Sequence, residues 1–114
     1  MNIAVVGLGK LGAVLAAVMA ESGHSVVGVD VNPGFVQAIN QGRAPVEEPG
    51  LDELIRKNRS RLAATSDCEA AASSAEVIFI VVPTPSDADG LFSLCFVIPA
   101  VESIGRALRQ RADW

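Results

Sequence analysis

Residues 1–30 contain the pattern that most restricts how this chain can fold. An apolar run, Ile3 to Val6, leads into the glycine turn G-L-G-K-L-G at positions 7–12. An amphipathic stretch and a second apolar run follow, and that run ends at Asp30. A glycine turn between a strand and a helix, with an acidic residue after the next strand, is typical of dinucleotide-binding domains. The pattern therefore predicts a nucleotide site at the carboxyl end of the first strand.

Each glycine of the turn has a separate predicted role. Gly7 permits a tight turn out of the strand, Gly9 leaves the backbone bare where a pyrophosphate approaches, and Gly12 allows the helix to pack closely on the sheet. The unpaired amide groups at the helix N-terminus favour phosphate binding. We expect Asp30 to accept hydrogen bonds from the ribose hydroxyls and to repel a 2′-phosphate, so NAD rather than NADP is the predicted cofactor.

The charge and the cysteines of the chain exclude other classes of function. With 13 acidic residues against 9 Lys and Arg, the net charge is −4, which argues against nucleic acid and anionic membrane surfaces as partners. The apolar N-terminus is interrupted by Lys10 and the glycines, so no transmembrane span is predicted. Cys68 and Cys95 are isolated, so we expect reduced thiols in a cytoplasmic protein and no metal site.

Strand and helix patterns alternate along the whole chain, which predicts an α/β fold with a parallel sheet. We expect a Rossmann-type doubly wound sheet, incomplete, with about four strands in the order 3-2-1-4 and helices on both faces. The length of 114 residues suits one domain, residues 1–114. Because no strand follows the last helix pattern, the chain is expected to be the first part of a longer protein.

The first and last helices have predicted faces and limits. The first is expected from Lys10 to Ser22, and the last is expected to begin near Pro99 or to bend there, because proline lacks a backbone donor. Helical spacing assigns Leu11, Leu15, Val18 and Met19 to one face of the first helix, and Val97, Val101, Ile104 and Leu108 to one face of the last.

Two shorter patterns lie between these helices. Ser66 and Glu69 have the spacing of a capping box at the start of an alanine-rich helix. Val77–Val82 is apolar without alternation, as expected of a central strand that is buried on both faces. If no further strand lies beside it, its open edge predicts self-association.

Three stretches of the sequence resemble one family, the UDP-glucose/GDP-mannose dehydrogenases, which oxidise a nucleotide sugar at C6 to the uronic acid. The first is the glycine turn together with G-V-D-V at 28–31. The second is I-N-Q-G-R-A-P-V at 39–46, with E-P-G-L at 48–51 after it. The third is V-P-T-P-S at 82–86, followed by D-G-L at 89–91. Together they span almost the whole chain in the order found in that family.

This resemblance implies that the chain is the NAD-binding domain of such an enzyme, and it assigns cofactor contacts. Asp30 matches the acid that binds the ribose, and Thr84 matches the threonine of a turn that approaches the cofactor. The implied contact positions are Gly7, Gly9, Lys10, Leu11, Gly12, Asp30, Val82, Pro83 and Thr84. Val82 ends a strand at the carboxyl edge of the sheet, where ligands bind in open α/β folds.

The resemblance places the catalytic cysteine in a second domain, within a glycine-rich motif that these 114 residues do not contain. Cys95 does not replace it, because no G-F-G-G precedes it and an activated thiolate needs a base or cationic neighbours. We therefore assign no catalytic residue to this chain. A nucleotide-sugar substrate is expected only in the longer parent protein.

Two positions depart from the family's pattern. Position 10, usually aromatic, is Lys10, whose ammonium group could approach a phosphate. Position 35, usually basic, is Phe35, so a cation near the adenosine end of the cofactor is missing. The adjacent acids Glu47 and Glu48 are interpreted as part of a solvated loop, because general acid–base catalysis needs a shaped site.

Two other functions stay open on the sequence alone. One is a stand-alone nucleotide-sensing module, and the other is a domain of a different hydroxyacid or 6-phosphogluconate-type dehydrogenase. The E-P-G-L and V-P-T-P segments weigh against the sensing module, because neither serves adenosine sensing. The second alternative usually has an arginine after the second strand, and Arg43 is the first arginine beyond Asp30 here.

Overall fold

The computed structural model describes residues 1–82 and 97–111, which form a parallel sheet with helices on both faces. The strands are β1 (Asn2–Val6), β2 (Ser25–Val29), β3 (Leu62–Thr65) and β4 (Val77–Ile80). The helices are α1 (Lys10–Glu21), α2 (Pro33–Asn40), α3 (Leu51–Lys57), α4 (Cys68–Ser74) and α5 (Val97–Arg109). The strand order is β3-β2-β1-β4, which confirms the predicted architecture and strand order.

Each face of the sheet carries its own apolar cluster, because successive side chains of a strand point to opposite faces. In β1, Ile3 and Val5 belong to one cluster, whereas Ala4 and Val6 belong to the other. The first cluster packs against α1, α2 and α3, with Ala16, Ile39 and Ile55 among its buried members. The second packs against α4 and α5, with Ala71, Ala72, Ala100, Ile104 and Ala107 among its members.

The buried face of α1 is not the predicted one. Leu11 is 70% exposed and Val18 is also exposed, whereas Leu15 and Met19 are half-buried. The buried positions are instead Gly12, Ala13, Ala16, Ala17 and Ala20. Small residues allow the helix axis to lie close to the sheet, so the large apolar side chains are displaced to the margins. Periodicity of large side chains alone pointed to the wrong part of the helix.

The start of α4 also differs from the prediction. Asp67, not Ser66, is the N-cap, and its carboxylate accepts a hydrogen bond of 3.0 Å from the backbone N–H of Ala70. The Glu69 carboxylate pairs with Arg106 of α5 instead of closing a capping box. The capping-box prediction is wrong by one residue. Aspartate and serine are about equally good N-caps, and here they are adjacent.

Strand β4 is shorter and more exposed than predicted. It ends at Ile80, although the Val81 N–H still donates to the Val6 carbonyl at 2.7 Å. Ile80 is 41% exposed and Val77 is half-buried, because β4 lies at one edge of the described sheet. The prediction of a central strand buried on both faces is therefore wrong within the described residues. An unbroken apolar run does not distinguish a central strand from an edge strand.

Helix α5 begins at Val97, which confirms a start close to Pro99. Proline is tolerated in a first turn, where its missing N–H would have no helical acceptor. The predicted face is only partly right, since Ile104 is buried and Leu108 half-buried, whereas Val101 is half exposed. Within residues 1–82 and 97–111, no helix is long and apolar enough to cross a membrane.

Candidate functional site

The glycine turn joins β1 to α1 at the carboxyl end of the sheet. Gly7 has a φ of +109°, which favours glycine, and a Cβ at this position would lie 2.7 Å from the Val81 carbonyl carbon. The Gly7 N–H also donates to the Val29 carbonyl at 2.7 Å. Neighbouring backbone on both sides therefore fixes where the turn begins.

The other two glycines of the motif have opposite surroundings. A Cβ on Gly12 would lie 2.8 Å from the Gly7 carbonyl carbon and even closer to its oxygen, so the turn folds directly onto the first turn of α1. By contrast, a Cβ on Gly9 would meet no atom of residues 1–82 or 97–111 within 4 Å. Gly12 is thus required by packing inside the protein, whereas the structure leaves open space next to Gly9.

The N-terminus of α1 faces this open space without a side-chain cap. The N-cap residue is Gly9, which has no side chain to cap the helix, and the first turn contains no acidic residue. The first amide groups of a helix lack intrahelical acceptors and carry the positive end of the helix dipole. An anion placed next to Gly9 would therefore meet unpaired donors.

Asp30 follows β2 and is oriented by two backbone groups. One carboxylate oxygen accepts from the Leu8 N–H at 2.8 Å, and the other accepts from the Asn32 N–H at 2.8 Å. The first bond ties the acid to the glycine turn, and the second ties it to the start of α2. The sequence pattern predicted the position of Asp30 but not that its carboxylate also stabilises the glycine turn through the hydrogen bond from Leu8.

A cavity of about 750 Å³ runs along the carboxyl ends of the strands, a volume typical of small-molecule sites. The structure brings the described members of the predicted cofactor site to this one cavity: Gly7, Gly9, Lys10, Leu11, Gly12, Asp30 and Val82 all line it. Pro83 and Thr84 lie outside the described residues, as does Cys95. Phe35 also lines the cavity, so the position that departs from the family's pattern does face the site.

Lys10 has a partner that the sequence did not reveal. Its Nζ lies 3.3 Å from a carboxylate oxygen of Glu48, and its side chain is 73% exposed. Glu48 belongs to the loop of residues 41–50 between α2 and α3. Glu48 thus lies in a surface loop, as interpreted from the sequence, but it is paired with a lysine. This pairing joins the first residue of α1 to a loop that is distant in sequence, and no local motif encodes it.

The far wall of the cavity consists of residues that the sequence analysis did not select for the site. Cys68 and Glu69 come from the start of α4, and Ser103 and Arg106 come from one face of α5. Burial, and secondly the Asp67 carboxylate, raise the pKa of the Cys68 thiol. The only sequence pattern that pointed to these wall residues was the i, i+3 spacing of Ser103 and Arg106 on a helix.

Within residues 1–82 and 97–111, no three His, Cys, Asp or Glu side chains are grouped to hold a metal ion.

A comparison with known families shows to which family this chain belongs. The model of the UDP-glucose/GDP-mannose dehydrogenase family, NAD binding domain, matches residues 1–112. The chain belongs to this family. It is a Rossmann-type NAD-binding domain of nucleotide-sugar dehydrogenases, which confirms the predicted cofactor and the resemblance stated from the sequence. This membership favours neither of the two alternatives left open above.

Individual relatives agree with this assignment. GDP-mannose 6-dehydrogenase of Pseudomonas aeruginosa is 39% identical over 115 residues, and UDP-glucose 6-dehydrogenase of Haloferax volcanii is 38% identical over 114 residues. Both alignments cover 99% of this chain and 26% of the relative. The NAD-binding domain described here therefore spans about a quarter of the length of these relatives.

Solved structures of the family have the same fold. A GDP-mannose dehydrogenase from Pseudomonas aeruginosa, solved as a ternary complex, superposes with a TM-score of 0.96 at 39% identity, covering 99% of this chain and 26% of that one. A UDP-glucose dehydrogenase from Pyrobaculum islandicum gives a TM-score of 0.90 at 39% identity, covering 95% of this chain and 26% of that one.

Proposed function

We propose that this chain binds NAD in the 750 Å³ cavity, with the pyrophosphate next to Gly9 and the adenosine ribose on Asp30. The observation that carries the proposal is the open space at Gly9 beside an uncapped helix N-terminus, with the Asp30 carboxylate bonded to the same turn. The proposed contact residues are Gly7, Gly9, Lys10, Leu11, Gly12, Asp30, Val82, Pro83 and Thr84. When bound, NAD supplies a hydride acceptor, and the residues of this chain bind and orient it.

Amide NMR spectra recorded during an NAD titration test this placement. The largest shift changes are expected at Gly9, Lys10 and Leu11, whose N–H groups face the proposed phosphate position, and at Asp30. The amides of α3, which lies away from the cavity, provide an internal control. Shift changes confined to α3, with none in the glycine turn, would contradict the proposal.

We further propose that residues 1–114 act as one domain of a longer cytoplasmic enzyme that oxidises a nucleotide sugar at C6. The relatives' names, GDP-mannose 6-dehydrogenase and UDP-glucose 6-dehydrogenase, support this proposal. The glycine-rich cysteine motif that the family resemblance requires does not occur in residues 1–114. We therefore expect the 114-residue chain to form no NADH from GDP-mannose or UDP-glucose, and measurable turnover of either sugar by this chain would contradict that expectation.

We propose that the Lys10 ammonium group contacts the pyrophosphate. The pyrophosphate then competes with the Glu48 carboxylate for Lys10. Replacing Glu48 with Gln is expected to tighten NAD binding about twofold to fivefold, because it removes both the competing partner of Lys10 and a negative charge near the phosphates. Lys10→Met is expected to weaken binding by a similar factor. Calorimetric titration at low and high salt measures both effects, which added salt should reduce. Tighter binding by Lys10→Met would contradict the proposed contact.

Self-association through the edge of β4 is proposed as well. Ile80 is exposed on this strand, and unpaired strand edges are sites of pairing between chains. Light scattering of the 114-residue chain at increasing concentration should show a rising mass. Ile80→Lys should lower that mass, because a charged residue on an edge strand disfavours pairing. A constant monomer mass at high concentration would contradict this proposal.

A further inference from the structure

The NAD cavity continues beyond Asp30 toward the opposite face of the sheet. From the glycine turn at β1 it passes the end of β2 and reaches the segment 66–69 after β3. Its far wall is one face of α5, formed by Pro99, Ala100, Ser103 and Arg106. Helices α4 and α5 cover the face of the sheet opposite to α1, so this part of the cavity lies away from the helix that receives the pyrophosphate.

The order of groups in a dinucleotide determines which one reaches this part of the cavity. With the pyrophosphate at β1 and the adenosine ribose at Asp30, the adenine ring is attached on the far side of that ribose. The nicotinamide half extends the other way, toward the end of β4 and Val82. Adenine is therefore the group that meets the wall formed by α4 and α5.

Arg106 is the cation on that wall, and two neighbouring side chains hold its guanidinium group. Its Nε lies 3.3 Å from a Glu69 carboxylate oxygen, and a terminal nitrogen donates to the Ser103 hydroxyl at 3.1 Å. The Glu69 and Arg106 side chains are about 37% and 50% exposed, respectively. A guanidinium held in this way presents a flat face without the entropy cost of ordering a long free side chain.

We propose that the guanidinium plane of Arg106 contacts the adenine ring of NAD. This inference rests on the proposed NAD site. Phe35 lines the same cavity and adds an apolar side chain to it. Arginine planes stack on aromatic rings through cation–π attraction. Because the Glu69 carboxylate balances the charge of Arg106, this ion pair favours contact with an uncharged purine ring over contact with a phosphate group.

Calorimetric titrations of the 114-residue chain with NAD and with AMP test this role. Arg106→Met keeps most of the aliphatic stem and removes the guanidinium, and it is expected to weaken both ligands roughly fivefold to thirtyfold. The affinity of Arg106→Lys for each ligand should lie between that of Arg106→Met and that of the unmodified chain, because lysine keeps the charge but not the planar group. Arg109→Met is the matched control, because Arg109 is an exposed arginine one turn further along α5 and does not line the cavity.

The control should bind both ligands within about twofold of the unmodified chain. Thermal unfolding of each variant confirms that it is folded under the titration conditions. If Arg106→Met binds NAD as tightly as Arg109→Met, or if it weakens NAD but not AMP, the adenine contact is overturned while the proposed NAD site stands. If the unmodified chain binds neither ligand, the proposed site itself fails.

Discussion

Replacing Gly12 with Ala is expected to destabilise the domain by about 3 kcal/mol or more, enough to unfold a marginal domain. The new Cβ would overlap the Gly7 carbonyl group. This carbonyl has little room to move, because the Gly7 N–H is bonded to the Val29 carbonyl and the Val81 backbone lies so close that a Cβ on Gly7 would be 2.7 Å from its carbonyl carbon. An alanine inside a helix normally gains about 1 kcal/mol over glycine, and the overlap outweighs that gain.

Gly9→Ala is the matched control for this prediction. Gly9 has φ −68° and ψ −166°, an extended conformation that alanine adopts without strain, and its Cβ would meet no atom of the described part of the chain within 4 Å. We expect Gly9→Ala to lose no more than about 1 kcal/mol of stability, a loss due to alanine being a poorer N-cap than glycine. Its affinity for NAD should fall at least about tenfold, because the methyl group takes the space proposed for the pyrophosphate.

Urea unfolding and NAD titration of the two variants separate internal packing from ligand contact. The expected result is a large loss of stability in Gly12→Ala, and in Gly9→Ala a loss of binding with at most a small loss of stability. Equal stability of both variants would contradict the packing role of Gly12. Unchanged NAD affinity in folded Gly9→Ala would contradict the proposed position of the pyrophosphate.

Replacing Asp30 with Ala is expected to weaken NAD binding roughly tenfold to a hundredfold. Hydrogen bonds to a charged group contribute about 1.5–3 kcal/mol, and the variant loses those proposed to the ribose hydroxyls. It should also be less stable by about 1–3 kcal/mol, because the part-buried Leu8 N–H loses its acceptor. Asp30 therefore links cofactor affinity to the stability of the glycine turn.

A second substitution at this position separates the two effects. Asp30→Asn keeps one acceptor oxygen and so retains part of the stability, but it loses the negative charge that repels a 2′-phosphate. We expect it to bind NAD more weakly and to discriminate less between NAD and NADP. Asp52→Asn is the control, because Asp52 also accepts from a backbone N–H, that of Ala44, and does not line the NAD cavity. An Asp30→Ala variant with unchanged NAD affinity would contradict the role of this acid.

The sequence was sufficient for the features that depend on local pattern. Alternating apolar runs and turns predicted a parallel sheet in the order 3-2-1-4, since right-handed crossovers leave few other arrangements. The glycine turn and Asp30 could be predicted because tight turns and close approaches exclude most other residues. The clash of a Cβ at Gly12 with Gly7 is the physical basis of that restriction.

Features that depend on contacts between distant segments were missed. The pairing of Lys10 with Glu48 and that of Glu69 with Arg106 join residues more than 30 positions apart, and no local spacing encodes them. The burial of α1 through alanines rather than leucines depends on how closely the helix approaches the sheet. Burial of β4 depends on which strands lie next to it, and an apolar run does not contain that information.

Calorimetric titration of the 114-residue chain with NAD and with NADP tests the central claim most directly. If the pyrophosphate binds at Gly9 and the ribose at Asp30, NAD should bind at one site per chain. NADP should bind at least about tenfold more weakly, because the Asp30 carboxylate repels its 2′-phosphate. Equal affinity for both cofactors, or no binding of NAD, would contradict the account.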